Sequence, residues 1–154
     1  MRNLITLIAI LFSLNLFSQD YESAIGLRGG LFNAVTYKFK INDWSAGEGI
    51  ASFQYNGLIV TGLYTIQNPW EIEGAPMQWY YGGGAHAGIV GSSSRLNDFE
   101  GGLIIGVDGV IGAEYTFGNI PLNLSLDYKP AFNLIGSTGF VFDTFSLGIR
   151  YVLD

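Results

Sequence analysis

The chain has one histidine, His86, in the segment GAHAG, and it has no cysteine. A histidine can activate a serine nucleophile when a carboxylate orients its ring. Here the serines at 92–94 lie in a predicted loop beyond it. The sequence therefore predicts no catalytic residues. We interpret His86 as a neutral side chain that is hydrogen-bonded within a polar interior.

Motifs for metal or cofactor binding are incomplete. The absence of cysteine excludes thiolate metal sites and disulfides. The GGG at 82–84 is followed by neither the Lys-Ser/Thr pair nor the helix of a phosphate loop. The VDGV at 107–110 lacks the rest of a calcium loop. We expect no metal and no cofactor.

Charged residues inside the predicted strands share one feature, because each falls on the polar phase of an alternating pattern. They are Arg28, Lys38, Glu48, Asp108, Glu114, Asp127, Lys129 and Arg150, four basic and four acidic residues. Unpaired charges in a narrow interior would be costly, so balanced numbers predict a network of ion pairs that includes His86. A gate or a proton path is one interpretation of this network, and a structural polar core is the one that we favour.

The elements that would position these charges are strands, since polarity alternates with a period of two. In PLNLSLDYKPAF (121–132), leucines alternate with Asn, Ser and Asp. Similar patterns occupy 22–30, 34–41, 47–67, 77–91, 104–117 and 146–154, and the turn signal Asn56-Gly57 divides 47–67 into a hairpin. Loops are expected near 30–33, 41–46, 67–77, 92–102, 118–121 and 133–142. A tight turn at 118–121 would place Lys129 diagonal to Asp108, close enough to pair.

The composition indicates a barrel in a membrane. The chain is 49% hydrophobic and only 13% charged, against roughly 25% charged in soluble domains. Its net charge of -6 argues against a nucleic-acid partner. Beyond the N-terminus no apolar run approaches the ~20 residues of a spanning helix, which leaves a closed barrel.

The last step of the fold prediction is to decide whether the apolar or the polar side chains face the barrel interior. A soluble barrel, such as a lipocalin, would keep its apolar residues inside, but an eight-stranded interior suits small polar side chains better. We therefore predict an all-β fold, an eight-stranded antiparallel up-and-down transmembrane β-barrel. A periplasmic aromatic girdle is expected from Trp79, Tyr115, Phe117 and Tyr151 at strand ends, with Trp44 and Trp70 in adjacent turns. The long 67–77 connection fits this side badly, because periplasmic turns are short.

The N-terminal segment MRNLITLIAILFSLNLFSQD has one positive charge, an apolar stretch and a small residue, Ser18. This pattern is typical of a secretory signal peptide. We expect residues 1–18 to be removed and the barrel domain to occupy 19–154, with Gln19 as its first residue. An uncleaved anchor helix is the alternative.

The segments WYYGGGAHAGI, GVDGVIGAEYTFGNIPLNLSLDYKPAFNLIG and FSLGIRYVL resemble the small Gram-negative outer-membrane barrels of the OmpA/OmpX/OmpW-like superfamily, particularly those of the Bacteroidetes type. The resemblance covers nearly the whole mature chain. It implies an outer-membrane location, contact with outer-membrane lipid and lipopolysaccharide, and recognition by the barrel-assembly machinery. In that family the last strand carries the recognition signal, whose pattern is matched here by Ser146, Gly148, Tyr151 and Leu153. The chain departs from the pattern in lacking a terminal aromatic residue.

Three functions follow from the resemblance. We favour a monomeric, non-enzymatic barrel with a structural or loop-mediated interaction role and a polar, plugged lumen. A narrow conduit or binder for small hydrophobic molecules, as in the OmpW-like branch, is the alternative. A lipid A-modifying enzyme of the deacylase type is a remote one, because that family carries its serine at the position that is Gly88 here.

Overall fold

The computed structural model describes residues 22–54, 56–72, 75–92, 100–136, 138–141 and 145–153. The described residues form ten strand segments and no helix that is long and apolar enough to cross a membrane. The predicted signal peptide, residues 1–18, and the expected mature start at Gln19 lie outside the described residues.

The strands follow one another along the chain. They are β1 (Ser23–Gly29), β2 (Asn33–Asn42), β3 (Ser45–Gln54), β4 (Gly57–Ile72), β5 (Ala75–Val90), β6 (Gly102–Thr116), β7 (Leu122–Tyr128), β8 (Ala131–Ile135), β9 (Gly139–Val141) and β10 (Phe145–Val152). All the pairings between them are antiparallel.

The sheet closes into a barrel of eight strands. β5 pairs with β6, and β1 pairs with β10, so the sheet has no open side. β7 and β8 are one strand of the barrel, because both hold the same register against β6 and the Gly109 N–H donates to the Pro130 carbonyl between them. β9 and β10 together form the last strand. The predicted eight-stranded antiparallel barrel is confirmed.

Alternation decides which side chains face the interior. In β2 and β10 nearly every second residue is buried, while those between are exposed or half-buried. The predicted register of β6 and β7 is present, with Thr116 opposite Asn123. Large apolar side chains cover the outer wall, and the buried positions hold mostly polar groups.

The predicted long connection at 67–77 is wrong. β4 continues to Ile72 and β5 begins at Ala75, so this part of the chain is an extended hairpin that also contains Trp70. The Gln67 N–H donates to the carbonyl of Trp44, the residue just before β3 begins. The nitrogen of Pro69, two residues later on the same edge, lies beyond β3, where a missing donor breaks no ladder bond.

Other predicted loops are shorter than expected. β2 and β3 leave only residues 43 and 44 between them, and the predicted 133–142 loop contains the end of β8 and all of β9. The hairpin turn lies one residue before the predicted one, because Gln54 pairs with Gly57. Asn56 therefore adopts the left-handed backbone, with φ of 54°, a conformation that asparagine tolerates better than most residues. The predicted 92–102 loop lies mostly outside the described residues.

Candidate functional site: the buried polar network of the lumen

The polar network occupies the inward face of the barrel. The nine residues assigned to it from the sequence are all buried, with at most 9% of the surface of any of them exposed; they are Arg28, Lys38, Glu48, His86, Asp108, Glu114, Asp127, Lys129 and Arg150. Inward and outward positions alternate along each strand, so a single phase brings these nine side chains from seven barrel strands into one narrow space.

One carboxylate oxygen lies at the centre of the network. The guanidinium of Arg150 donates to Oε1 of Glu48 over 2.7 Å, and that of Arg28 donates to the same atom over 3.2 Å. The Thr36 hydroxyl is a third donor to it. β1, β2, β3 and β10 are thereby joined across the lumen by side chains as well as by backbone bonds.

A second carboxylate, that of Asp127, binds the far side of Arg28. Arg28 donates to its Oδ1 atom, and the Tyr80 hydroxyl donates to its Oδ2 atom over 2.6 Å. The Lys38 ammonium lies 4.1 Å from the centre of the Tyr80 ring, a cation–π contact. Tyr80 therefore bridges an acidic and a basic group of the same network.

The third carboxylate belongs to Glu114. Lys38 donates to its Oε2 atom over 3.0 Å, and Arg150 lies 3.6 Å from the same atom. Asn123 accepts a bond of 2.9 Å from Arg150 and donates to the Thr116 hydroxyl over 2.9 Å. We call this group of Arg28, Lys38, Arg150, Glu48, Glu114 and Asp127 the central network; its three basic and three acidic charges balance.

A smaller group, which we call the His86 cluster, contains His86, Asp108, Lys129 and Asn133. Lys129 donates to Oδ1 of Asp108 over 3.0 Å, so the pair predicted from the strand register is present. Nδ1 of His86 lies 2.7 Å from Oδ2 of Asp108, and Nε2 lies 2.8 Å from the amide oxygen of Asn133. With a neutral histidine this cluster is also balanced, with one charge of each sign.

An apolar layer packs inside the lumen as well. Ala34, Ile50, Leu63, Tyr80 and Val110 form one buried cluster contributed by five strands. On β6, the inward Val110 lies between Asp108 of the His86 cluster and Glu114 of the central network. The lumen therefore holds two charge-balanced polar groups and a packed apolar cluster. This cluster was missed from the sequence because Val and Leu were assigned to the outer wall.

The arrangement around His86 contains part of a hydrolytic triad. Asp108 contacts Nδ1, as an orienting carboxylate does, but Nε2 faces the Asn133 amide, where a triad would hold its serine hydroxyl. Within the described residues, no group of three His, Cys, Asp or Glu side chains is arranged to hold a metal ion. What this geometry can do chemically is to neutralise and hydrogen-bond charges that strand alternation forces inside.

The residues of the expected assembly signal lie on β10 and just after it. Ser146 and Gly148 are on the inward phase, and Tyr151 and Leu153 are on the outward phase. A Cβ atom at Gly148 would collide with the Ser125 hydroxyl of β7, so this glycine also has a packing role. Leu153 is 44% exposed on the outer wall.

Four uncharged members of the site were not predicted from the sequence. They are Thr36, Tyr80, Asn123 and Asn133. All four lie on the inward phase of strands whose charged residues had been assigned. Extending the same phase rule to neutral polar side chains would have found Thr36, Tyr80 and Asn123, whereas Asn133 fell in the predicted 133–142 loop.

Comparisons of this chain with protein-family profiles, with curated proteins and with solved structures found no match.

Proposed function

We propose that this protein is an outer-membrane β-barrel of a Gram-negative bacterium, without enzymatic activity, whose role is structural or rests on interactions of its loops. One observation carries the proposal: the distribution of polarity is inverted relative to a soluble protein. Among the described residues, 27 large hydrophobic side chains are exposed, whereas 19 polar or charged residues are buried against 12 hydrophobic ones.

The outer wall would be unfavourable in water. Soluble monomers rarely expose apolar patches larger than a few hundred square ångströms. Here exposed apolar side chains recur on every strand of the barrel with described side chains, for example Leu27, Val60 and Ile149. In hydrocarbon the same surface is favourable. The closed sheet also pairs the backbone N–H and C=O groups, which could not form hydrogen bonds to lipid.

Aromatic side chains on the outer wall support a membrane boundary near the chain termini. Trp79 stacks on Tyr81 with ring centres 5.6 Å apart, and Tyr115 meets Phe117 edge-on at 4.8 Å. Trp44, in the turn between β2 and β3, is 55% exposed. Amphipathic rings favour the interface between lipid and water. An even strand number returns both termini to the periplasmic side, where this girdle would lie.

The ion-paired polar side chains of the lumen favour a plugged barrel over a conduit. A path for small hydrophobic molecules needs an apolar lumen or a side opening, and the inward face of this barrel carries two ion-paired groups. Catalysis of the lipid A deacylase type would need a nucleophile beside His86. The ring nitrogens of His86 contact Asp108 and Asn133 instead. Outer-membrane lipid, lipopolysaccharide and, during biogenesis, the barrel-assembly machinery are the proposed partners of the monomer.

The proposal is tested in two steps. In cells, the full-length chain should fractionate with outer membranes and, as barrels do, migrate differently in gels before and after boiling. In planar bilayers, the purified protein should give no stable large conductance. Recovery in a soluble fraction would refute the membrane assignment, and reproducible porin-like channels would refute the plugged lumen.

A further inference from the structure

An apolar groove of about 490 Å³ crosses the outer wall of the barrel. Trp70 of β4 and Trp79 of β5 border one end, and Phe145 of β10 borders the other. The volume falls within the roughly 300–1,000 Å³ of small-ligand sites. Its lining is almost wholly apolar.

The groove exists because a small residue lies among large ones. Ala113 pairs with Trp79 on one side and with Leu126 on the other. Its methyl group projects less far from the barrel than these two side chains do, so the outer surface is depressed there. The neighbouring outward residues Tyr128 and Phe145 project further, and their ring centres lie 5.5 Å apart. The result is a groove between large side chains, with Ala113 at its floor.

The shape of the groove selects a thin occupant. A second barrel would meet the groove with a convex wall, which would touch the indole and phenyl ridges and leave the floor empty. A single hydrocarbon chain can enter between the ridges and contact Ala113. The groove is continuous with the apolar outer wall that the proposed function places in lipid, so acyl chains are its immediate surroundings.

The position of the groove selects the leaflet. Trp70 and Trp79 lie near the turn of the β4–β5 hairpin, which is at the same end of the barrel as the chain termini. Ala113 is three residues from the end of β6 at that rim. With the termini on the periplasmic side, the end of the groove at Trp70, Trp79 and Ala113 lies in the inner leaflet of the outer membrane, which holds phospholipid. The groove runs from there towards Phe145, away from that rim.

The geometry points to a specific phospholipid site: one acyl chain of an inner-leaflet phospholipid occupies the groove over Ala113, with its headgroup beside Trp70 and Trp79. This inference rests on the proposed function. It goes beyond general contact with lipid, because it assigns one chain to a discrete, saturable site.

The test uses tryptophan fluorescence. The chain has three tryptophans, and a Trp44→Phe background leaves the two that border the groove. The protein, folded in detergent micelles, is titrated with phosphatidylcholine whose acyl chains carry bromine, a contact quencher. We expect saturable quenching at about one lipid per barrel. Ala113→Leu should weaken the binding about tenfold, as expected when roughly two methylenes lose apolar contact.

The matched control is Ala87→Leu, the same change at an exposed position of β5 outside the groove. It should leave the titration unchanged. Quenching that does not saturate, or that is equal in both variants, would overturn the inference. So would a dimer in sedimentation analysis that Ala113→Leu dissociates, because a second copy would then cover the groove.

Failure of this inference is distinguishable from failure of the proposed function. Fractionation of cells reports on the membrane assignment alone. A protein that resides in the outer membrane but shows no saturable quenching keeps its proposed function and loses the phospholipid site. A protein absent from the membrane loses both.

Discussion

Replacing Arg150 with methionine would remove the most connected cation of the lumen while keeping an unbranched side chain. Arg150 is fully buried, and it donates to Glu48 over 2.7 Å and to Asn123 over 2.9 Å. Removing one partner of a buried ion pair typically costs about 3–5 kcal/mol, because an uncompensated charge stays behind. Glu48 keeps Arg28 as a partner, and Glu114 keeps Lys38. We therefore expect a loss of about 3 kcal/mol in the free energy of unfolding, the lower end of that range.

A double substitution tests whether charge balance is the cause. Arg150→Met with Glu48→Gln restores neutrality in the central network, so the double variant should recover about 1.5 kcal/mol relative to the sum of the single changes, within the usual range for contacting residues. Urea unfolding of the barrel in lipid vesicles, followed by tryptophan fluorescence, measures the stability of the parent protein, the two single variants and the double variant. Ile149→Met, one residue away on the exposed outer face, is the matched control and should change stability little.

Two results would refute this reasoning. A loss below about 1 kcal/mol for Arg150→Met would mean that water or neighbouring groups replace its charge. Additivity of the two substitutions within about 0.5 kcal/mol would mean that they act independently and that pairing is not what the lumen requires.

Three further predictions concern other parts of the barrel. Gly112→Ala should destabilise by about 1–3 kcal/mol, since its Cβ would collide with Asp127, whereas Gly62→Ala, which meets nothing within 4 Å, should be nearly neutral in the same urea unfolding assay. Leu153→Asp should lower outer-membrane levels sharply in cells while the purified chain still refolds in detergent, because the direct cost near the interface is only ~0–1 kcal/mol; normal accumulation would argue against an assembly signal. Mass spectrometry of envelope protein should find Gln19 as the first residue, and an intact N-terminus would contradict cleavage.

The fold could be predicted from the sequence because a barrel strand must alternate. In β10 the inward Gly148 and Arg150 and the outward Ile149 were separable by polarity alone. Strand ends were less predictable. Pro69 and the second proline of the hairpin, Pro76, favoured a loop, but the nitrogen of Pro69 lies on a free edge, which only the length of β3 reveals.

The sequence also predicted which charged residues line the lumen, but it did not predict most of the contacts between them. A charge on the lipid face is costly, so charged residues could be assigned to the lumen one by one. The Lys129–Asp108 pair followed from a short hairpin register. Arg28 and Asp127, in contrast, are 99 residues apart in sequence, and their contact depends on how the sheet is staggered when it closes. No local pattern encodes that stagger.

The division of the lumen's ion pairs into two charge-balanced groups also constrains how such a chain can evolve. Reversing a charge in the central network is best compensated by a second change within that network, because its carboxylates pair with Arg28, Lys38 and Arg150, whereas Asp108 pairs with Lys129. Diverging relatives should therefore exchange acids and bases in two independent sets of positions. Covariation between Glu48 and Arg150 should accordingly be strong, and covariation between Glu48 and Lys129 should be absent, although all three residues line the same lumen.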